Sequence, residues 1–317
     1  MSETNPRRCL VTGGAGFIGS HIVELLLARG HEVAVLDNLS SGRRENLPEG
    51  VPIFELDINS PEIDGVLAEF RPAAIFHEAA QVSVSFSVRR PELDATVNIL
   101  GSINLLTTAA RHDVRKIVYA SSGASYGSLE TLPLKEELRT MPVSPYGVSK
   151  HTVEHYLRSA ANEWGLEWVA LRYSNVYGPR QDPHGEAGVV AIFLNQLLAG
   201  GRPTIFDDGE LTRDYIFVED VARANLAALE TDLAGHPDPV FNVSTCKSTS
   251  VNSLYAMLLQ SLGIEIEAEY GPPRPGDVRH SLLDSSRARE HLGWESCVDV
   301  QEGVRRTVEY FSTRVNG

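Results

Sequence analysis

Thr12-Gly13-Gly14-Ala15-Gly16-Phe17-Ile18-Gly19 is the stretch that decides the fold. It follows a short apolar run and opens an amphipathic one, so its glycines fall where a strand turns tightly into a helix and a pyrophosphate can approach the helix N-terminus. Gly13, Gly16, Phe17 and Ile18 are the residues of this turn expected to touch such a ligand. Asp37 closes the next apolar run 18 residues after Gly19, where a carboxylate can accept hydrogen bonds from adenosine ribose hydroxyls. It would repel a 2′-phosphate, which selects NAD over NADP. Asn38, Ser40 and Gly42 continue the same expected cofactor site, and Arg43 and Arg44 behind them read as a solvated loop. Asp57-Ile58 follows the third apolar run and is placed to meet the adenine edge, with a plain turn aspartate as the alternative.

Outward from this turn, short β-branched runs alternate with longer amphipathic stretches, the pattern of a parallel sheet wrapped by helices. Strands are expected at Cys9-Thr12, Val33-Asp37, Ile53-Leu56, Ala74-Glu78, Lys116-Ser121 and Glu167-Tyr173. Helices are expected at Phe17-Arg29, Glu62-Phe70, Leu93-Arg111 and Tyr146-Glu163. After Tyr173 the rhythm breaks at Gly178-Pro179, Pro183-His184-Gly185 and Gly200-Gly201, where a second lobe begins. The fold class is α/β: a Rossmann-type doubly wound parallel sheet with a smaller C-terminal α/β lobe for the substrate. Residues 1–177 form the first domain, with 215–245 returning to it; 178–214 and 246–317 form the second.

With 42% hydrophobic residues in 317, the chain can bury a large core. Its formal charge of −14 would repel a phosphate-rich polymer or an anionic bilayer, so neither nucleic acid nor a membrane is an expected partner. Local amides and a few arginines can still hold a small anion. Cys9, Cys246 and Cys297 are odd in number and widely separated, with no metal-ligand spacing, which points to reduced thiols, a cytoplasmic location and no metal site. The polar stretch from Met1 to Arg8 leaves no room for a secretory apolar core, and no apolar run approaches about 18 residues.

Tyr146-Gly147-Val148-Ser149-Lys150 stacks a phenol and an ammonium on one helix face. A free tyrosine titrates near ~10, and a fixed cation stabilises its phenolate, so the pair could act as a general base. With 4 lysines and 10 tyrosines in the chain, chance gives this spacing roughly one time in eight. Ser121 and Ser122 supply its context: they end the strand from Lys116, at the C-terminal edge of a parallel sheet where such folds bind ligands.

Together with the glycine turn, these residues resemble the extended short-chain dehydrogenase/reductase family over nearly the whole chain. Within it, the chain is similar to nucleotide-sugar 4-epimerases of the UDP-glucose type. The matching segments are Ala79-Ala80-Gln81-Val82-Ser83-Val84-Ser85, Leu171-Arg172-Tyr173-Ser174-Asn175-Val176-Tyr177-Gly178-Pro179 and Thr212-Arg213-Asp214-Tyr215. The resemblance implies NAD as cofactor and a UDP-sugar as substrate. It makes Tyr146 the base at the sugar 4-hydroxyl, Lys150 the residue that holds the nicotinamide ribose and lowers the tyrosine pKa, and Ser122 the hydroxyl's orienter. Ala79, Ala80, Gln81 and Ser121 join the cofactor contacts, and Tyr173 and Val176 flank the nicotinamide. Ser83, Ser125, Asn175, Val190, Arg213, Arg274 and Asp277 face the substrate, the last four holding the UDP part together with Asn175. The expected chemistry is oxidation at C4 to a 4-keto sugar, exposure of its other face, and return of hydride with inverted configuration.

The neighbouring reactions lack their machinery. Dehydratases of this family carry an Asp-Glu pair directly after the catalytic hydroxyl residue, where this chain has Gly123 and Ala124, neither able to move a proton. A net oxidoreductase and a UDP-N-acetylglucosamine epimerase are the alternatives, the latter because Ser281 is small where glucose-restricted relatives carry a tyrosine. A C6 carboxylate, as in UDP-glucuronate, could meet Ser83, Ser85, Ser125 or Arg180. Glu78 stands where the family usually has an apolar residue. The helices of 93–111 and 146–163 resemble those of a four-helix dimer interface, so a homodimer is expected.

Overall fold

A computed structural model describes residues 7–183, 188–274 and 278–315. Seven strands form a parallel sheet: β1 (Arg8–Thr12), β2 (Glu32–Leu36), β3 (Ile53–Phe54), β4 (Ala74–His77), β5 (Lys116–Ser122), β6 (Glu167–Tyr173) and, after several smaller elements, β11 (Val240–Val243). Their spatial order is β11-β6-β5-β4-β1-β2-β3. From β1 the chain moves outward to β2 and β3, then crosses back to β4 on the other side of β1, so the crevice between β1 and β4 is the switch point where a doubly wound sheet binds ligands.

Strand residues alternate between two hydrophobic layers, as pleating requires. Cys9 and Val11 of β1 face one layer with Ile22 and Leu26 of α1 (Phe17–Ala28) and Val221 of α8 (Val218–Glu230). Leu10 faces the other with Leu67 of α2 (Ile63–Phe70), Leu105 of α5 (Gly101–Arg111) and Leu157 of α6 (Pro145–Trp164). Burying a leucine- or valine-sized side chain contributes roughly 1.5–3 kcal/mol, and both layers are continuous across the sheet. β11 lies beside β6, and α8 packs on α1.

The stretch expected as one helix over 93–111 is broken. Two short helices, α3 (Val84–Arg89) and α4 (Pro91–Ala95), lead into a π-helical turn at Thr96–Leu100 before α5 begins. Gly101 sits against Ile58, where an added Cβ would come 2.5 Å from its Cγ2 atom. A straight amphipathic period cannot report that contact, because it comes from a neighbouring loop.

The smaller lobe is built on short strand pairs: β7 (Asn175–Tyr177) with β10 (Tyr215–Phe217), β8 (Thr204–Phe206) with β13 (Glu269–Gly271), and β9 (Thr212–Arg213) with β12 (Thr249–Ser250). Phe193 of α7 (Val189–Leu198), Leu254 and Leu258 of α9 (Val251–Leu262), and Val304 of α11 (Val300–Val315) form its core. The short α10 (Ser286–Leu292) returns Ala288 and Leu292 to the sheet's first layer. Among the described residues, no helix is long and apolar enough to cross a membrane.

Candidate active site

One cavity of about 1260 Å³ runs from the switch point into the smaller lobe, larger than the roughly 300–1,000 Å³ of a drug-sized pocket. Its first wall is the glycine turn. Gly13 has φ +67°, and a Cβ there would lie 2.7 Å from the Ala79 nitrogen; a Cβ at Gly19 would lie 2.3 Å from the Gly13 carbonyl oxygen. The turn therefore brings backbone, rather than side chain, to the N-terminus of α1.

Asp37 stands beside it. One carboxylate oxygen accepts from the Ala15 N–H at 3.0 Å and the other from the Leu39 N–H at 2.8 Å. Burial pushes this carboxyl up and the two N–H groups pull it back. A Cβ on Gly42 would lie 2.8 Å from both Asp37 oxygens, so that glycine lets its loop pass the carboxylate. Arg43 is paired with Glu45 at 3.5 Å and Arg44 with Glu55 at 2.8 Å. Burial works against the Asp57 carboxylate, but hydrogen bonds from Asn59 and Asn38 outweigh it and hold the group below its usual range. A helix N-terminus, a glycine cradle that a Cβ would fill and a carboxylate with no cation partner among the described residues suit an NAD-type dinucleotide.

The second wall joins β5 to α6. Ser122 caps a short turn, accepting from the Ala124 N–H at 3.1 Å. Ser144 caps α6 by accepting from the Gly147 N–H at 3.1 Å, with Pro145 in the first helical position, so Tyr146 is fixed in the opening turn. A Cβ at Gly147 would come 2.6 Å from the Ala124 carbonyl oxygen; this close passage sets the start of α6 against the turn after β5, so Tyr146 and Ser122 line the same cavity. Lys150 donates to the Ala120 carbonyl at 2.8 Å, with its nitrogen 6.0 Å from the Tyr146 ring centre.

The expected lowering of the tyrosine pKa is not found. Burial pushes the Tyr146 phenol up to about 12, Asp94 and Glu78 add to that, and only the Ser122 hydrogen bond opposes it. Burial pushes the Lys150 ammonium down to about 8, opposed by Glu78 and Asp94. Desolvation is the largest cause at both groups.

Behind Tyr146 lies a polar cluster absent from the sequence reading. Asp94 accepts from Gln81 at 2.8 Å and from Asn98 at 3.1 Å. Asn98 also donates to Ser149 at 3.1 Å, and the Ser149 hydroxyl donates to the Tyr146 carbonyl at 3.0 Å. The π turn carries Asn98 into this position. Its only local signal was a polar residue on a helix face that should have been apolar.

Gly13, Gly16, Phe17, Ile18, Asp37, Asn38, Ser40, Asp57, Ile58, Ala79, Ala80, Ser121, Ser122, Tyr146, Lys150, Tyr173 and Val176 all reach the cavity wall, as do Ser83, Asn175, Val190, Arg213 and Arg274. Gly42 supports Asp37 from outside the wall, and Gln81 turns its side chain to Asp94. Ser125 is buried away from the wall, and Asp277 lies outside the described residues. Arg213 donates to the Thr212 carbonyl at 2.9 Å, and Arg274 stacks on Phe206, a wall residue the sequence did not single out. Among the described residues, neither arginine has a carboxylate partner, in a chain of 42 acidic residues. Arg180, by contrast, is committed to Glu24 and Ser20 of α1.

Residues 9–244 match the NAD dependent epimerase/dehydratase family. The chain is 48% identical to a UDP-glucose 4-epimerase of Mycolicibacterium smegmatis, over 97% of this chain and 99% of that protein. A UDP-glucose 4-epimerase of Thermotoga maritima solved with UDP-glucose superposes with a TM-score of 0.93 at 47% identity, covering 97% of this chain and 99% of that one. A UDP-glucose 4-epimerase of Thermus thermophilus in complex with NAD gives 0.90 at 47% identity, covering 96% and 99%. Glycine turn, Asp37, Ser122 and Tyr146 line one cavity in a chain so matched along its length: it belongs to the NAD dependent epimerase/dehydratase family.

Proposed function

We propose that this protein is an NAD-dependent 4-epimerase that interconverts UDP-glucose and UDP-galactose. The observation that carries the reading is that Ser122, Tyr146 and Lys150 share one cavity wall with Arg213 and Arg274, neither of which has a carboxylate partner among the described residues. Gly123 and Ala124 offer no second acid or base beside it.

NAD, when bound, supplies the acceptor and donor of the hydride at sugar C4. Gly13, Gly16, Phe17 and Ile18 hold it at the α1 N-terminus, Asp37 binds its adenosine ribose, and Asp57 and Ile58 face the adenine. As the phenolate, the form a cationic nicotinamide ring would favour, Tyr146 Oη would take the proton of the 4-hydroxyl and return it to the 4-keto oxygen, with Ser122 orienting that oxygen. Lys150 holds the nicotinamide ribose. Arg213 and Arg274 anchor the diphosphate by charge-assisted contacts, with Asn175 and Val190 beside them, so the sugar can present either face while the nucleotide stays fixed. Asp277 is assigned to the uridine ribose. In this reading most of 178–214 and 246–317 carries the UDP-sugar and most of 1–177 with 215–245 carries the cofactor, with β7 and β10 belonging to the smaller lobe and α10 to the side of the large sheet.

A C6 hydroxymethyl is favoured over a carboxylate. Arg180, the cation available to a carboxylate, is paired with Glu24, and Glu78 adds negative charge to the wall. The protein is further proposed to be a homodimer. Exposed Val84, Val88, Leu93, Leu100, Met141, Val143, Val148 and Tyr156 support this, since they belong to α3 to α6 and the segments joining them, with Val82 just before α3. Free Cys9, Cys246 and Cys297 suit the cytoplasm.

The test is incubation with UDP-galactose or UDP-glucose without added NADH. The 4-epimer accumulates to equilibrium with no net change in the nicotinamide absorbance. Persistence of a single C4 configuration with both sugars overturns the reading.

A further inference from the structure

Glu78 takes no part in the proton transfers above, yet it brings a carboxylate to the cavity wall. It follows β4 directly. The preceding His77 is held on one face of the sheet between Thr12 (2.9 Å) and Ser102 (2.8 Å). Successive side chains face opposite ways, and Glu78 accepts on the other face from the Tyr173 hydroxyl at 2.9 Å. That hydroxyl accepts in turn from the Asn225 amide at 2.7 Å.

A carboxylate in such surroundings is costly unless donors or a cation meet it. One hydroxyl does so here. Among the described residues, no ion pair joins Glu78 to a cation; Lys150 lines the same cavity but donates to the Ala120 carbonyl. Burial pushes the Glu78 carboxyl up to about 7, with Tyr173 and Lys150 pulling it back. An apolar residue would fill this place without the cost, so the charge calls for a partner of opposite sign in the cavity. Tyr173 and Val176, the residues assigned to flank the nicotinamide, mark where that partner would stand.

We propose that Glu78 determines specificity for the oxidation state of the cofactor: its carboxylate, held by the Tyr173 hydroxyl, favours the dinucleotide with the cationic oxidised ring over that with the neutral reduced ring. The proposal rests on the NAD-dependent reading above. Hydride leaves sugar C4 as an electron pair with its hydrogen, neutralising the ring, while the hydroxyl proton goes to Tyr146 Oη. A fixed carboxylate beside that ring weights the balance toward return of the hydride and shortens the life of the 4-keto sugar.

Two neutral variants of the full chain test it. Glu78→Gln keeps an acceptor for Tyr173 and removes the charge; Glu78→Leu removes both. Each is equilibrated with fixed mixtures of NAD+ and NADH, and the bound reduced fraction is read by NADH fluorescence. The ratio of bound NADH to bound NAD+ rises about fivefold or more in both variants, the scale of one partly screened charge, and stays near the wild-type value in Glu78→Asp. A ratio within about twofold of wild type in the neutral variants overturns the proposal.

If neither neutral variant folds, the unaltered protein decides by linkage. With 13C-labelled glutamate, the Glu78 carboxyl titrates at lower pH with NAD+ bound than with NADH bound. The ionisable groups facing Glu78 are Tyr173 of β6, Tyr119 of β5, and Tyr146 and Lys150 of α6. Equal titrations in the two complexes overturn the proposal. Binding of neither nucleotide form would instead defeat the NAD-dependent reading itself, so the two failures are distinct.

Discussion

The guanidinium carbon of Arg274 sits 3.7 Å from the centre of the Phe206 ring. The aromatic face supports the cation without neutralising it, leaving its N–H groups for an anion. Arg274→Ala should weaken inhibition by UDP about 10- to 100-fold, the range of a hydrogen bond to a charged group, and raise KM more than it lowers kcat. An unchanged inhibition constant for UDP would show that the diphosphate is held elsewhere.

Tyr146→Phe keeps the ring and removes the wall hydroxyl assigned to carry the substrate proton. Turnover should fall by about 10²- to 10⁴-fold, while nucleotide remains bound. Assays of epimer formation and of nucleotide content on the same preparation separate the two effects. Normal turnover would remove Tyr146 from its assigned role.

Gly42→Ala places a Cβ 2.8 Å from both oxygens of Asp37. The loop must retreat or the carboxylate must turn, so NAD affinity should drop about tenfold or more. Asp37→Ser is expected to narrow the preference for NAD over NADP, because the charge that repels a 2′-phosphate is gone. Competitive binding of the two dinucleotides checks both.

Glu154 carries a pH prediction. Its carboxylate is almost fully buried and accepts from Arg172 at 2.9 and 2.7 Å and from Ser121 at 2.6 Å. Burial opposes its charge, yet hydrogen bonds, those from Arg172 and His151 foremost, hold it down to about 2. A folded-state pKa below the unfolded value of about 4.3 means that this stability is present above that value and is lost as pH falls toward 2. Denaturant melts of Glu154→Gln should be weaker by about 3–5 kcal/mol at neutral pH, with a flatter loss of stability between about pH 5 and 2 than in wild type.

The sheet was legible because its signals are local. A strand, a glycine turn and a helix lie within a few residues of one another, and a carboxylate closes the next strand. Tyr146 and Lys150 were legible for the same reason, one turn apart on one helix. Contacts between distant segments left no such trace. Phe206 lies 68 residues before Arg274 and meets it through the pairing of β8 with β13. Asn98 reaches Gln81 and Ser149 only because the helix around it widens into a π turn. The tyrosine pKa was misjudged on similar grounds: residue spacing reports a nearby cation, but not the burial that opposes ionisation.

The π turn at Thr96–Leu100 holds one residue more than an α-helical path between the same ends would. Deleting a single residue there would let the helix close regularly, with little or no loss of backbone hydrogen bonding. The helices on either side would keep their mutual orientation, while residues within the turn would shift around the axis by about one position, or about 100°. Asn98 would leave Ser149, and Tyr146 would lose its support from below, although every named side chain were still present. Chain length across five residues thus tunes this site as firmly as residue identity does, and alignments that slide a gap through it would pair the wrong asparagine.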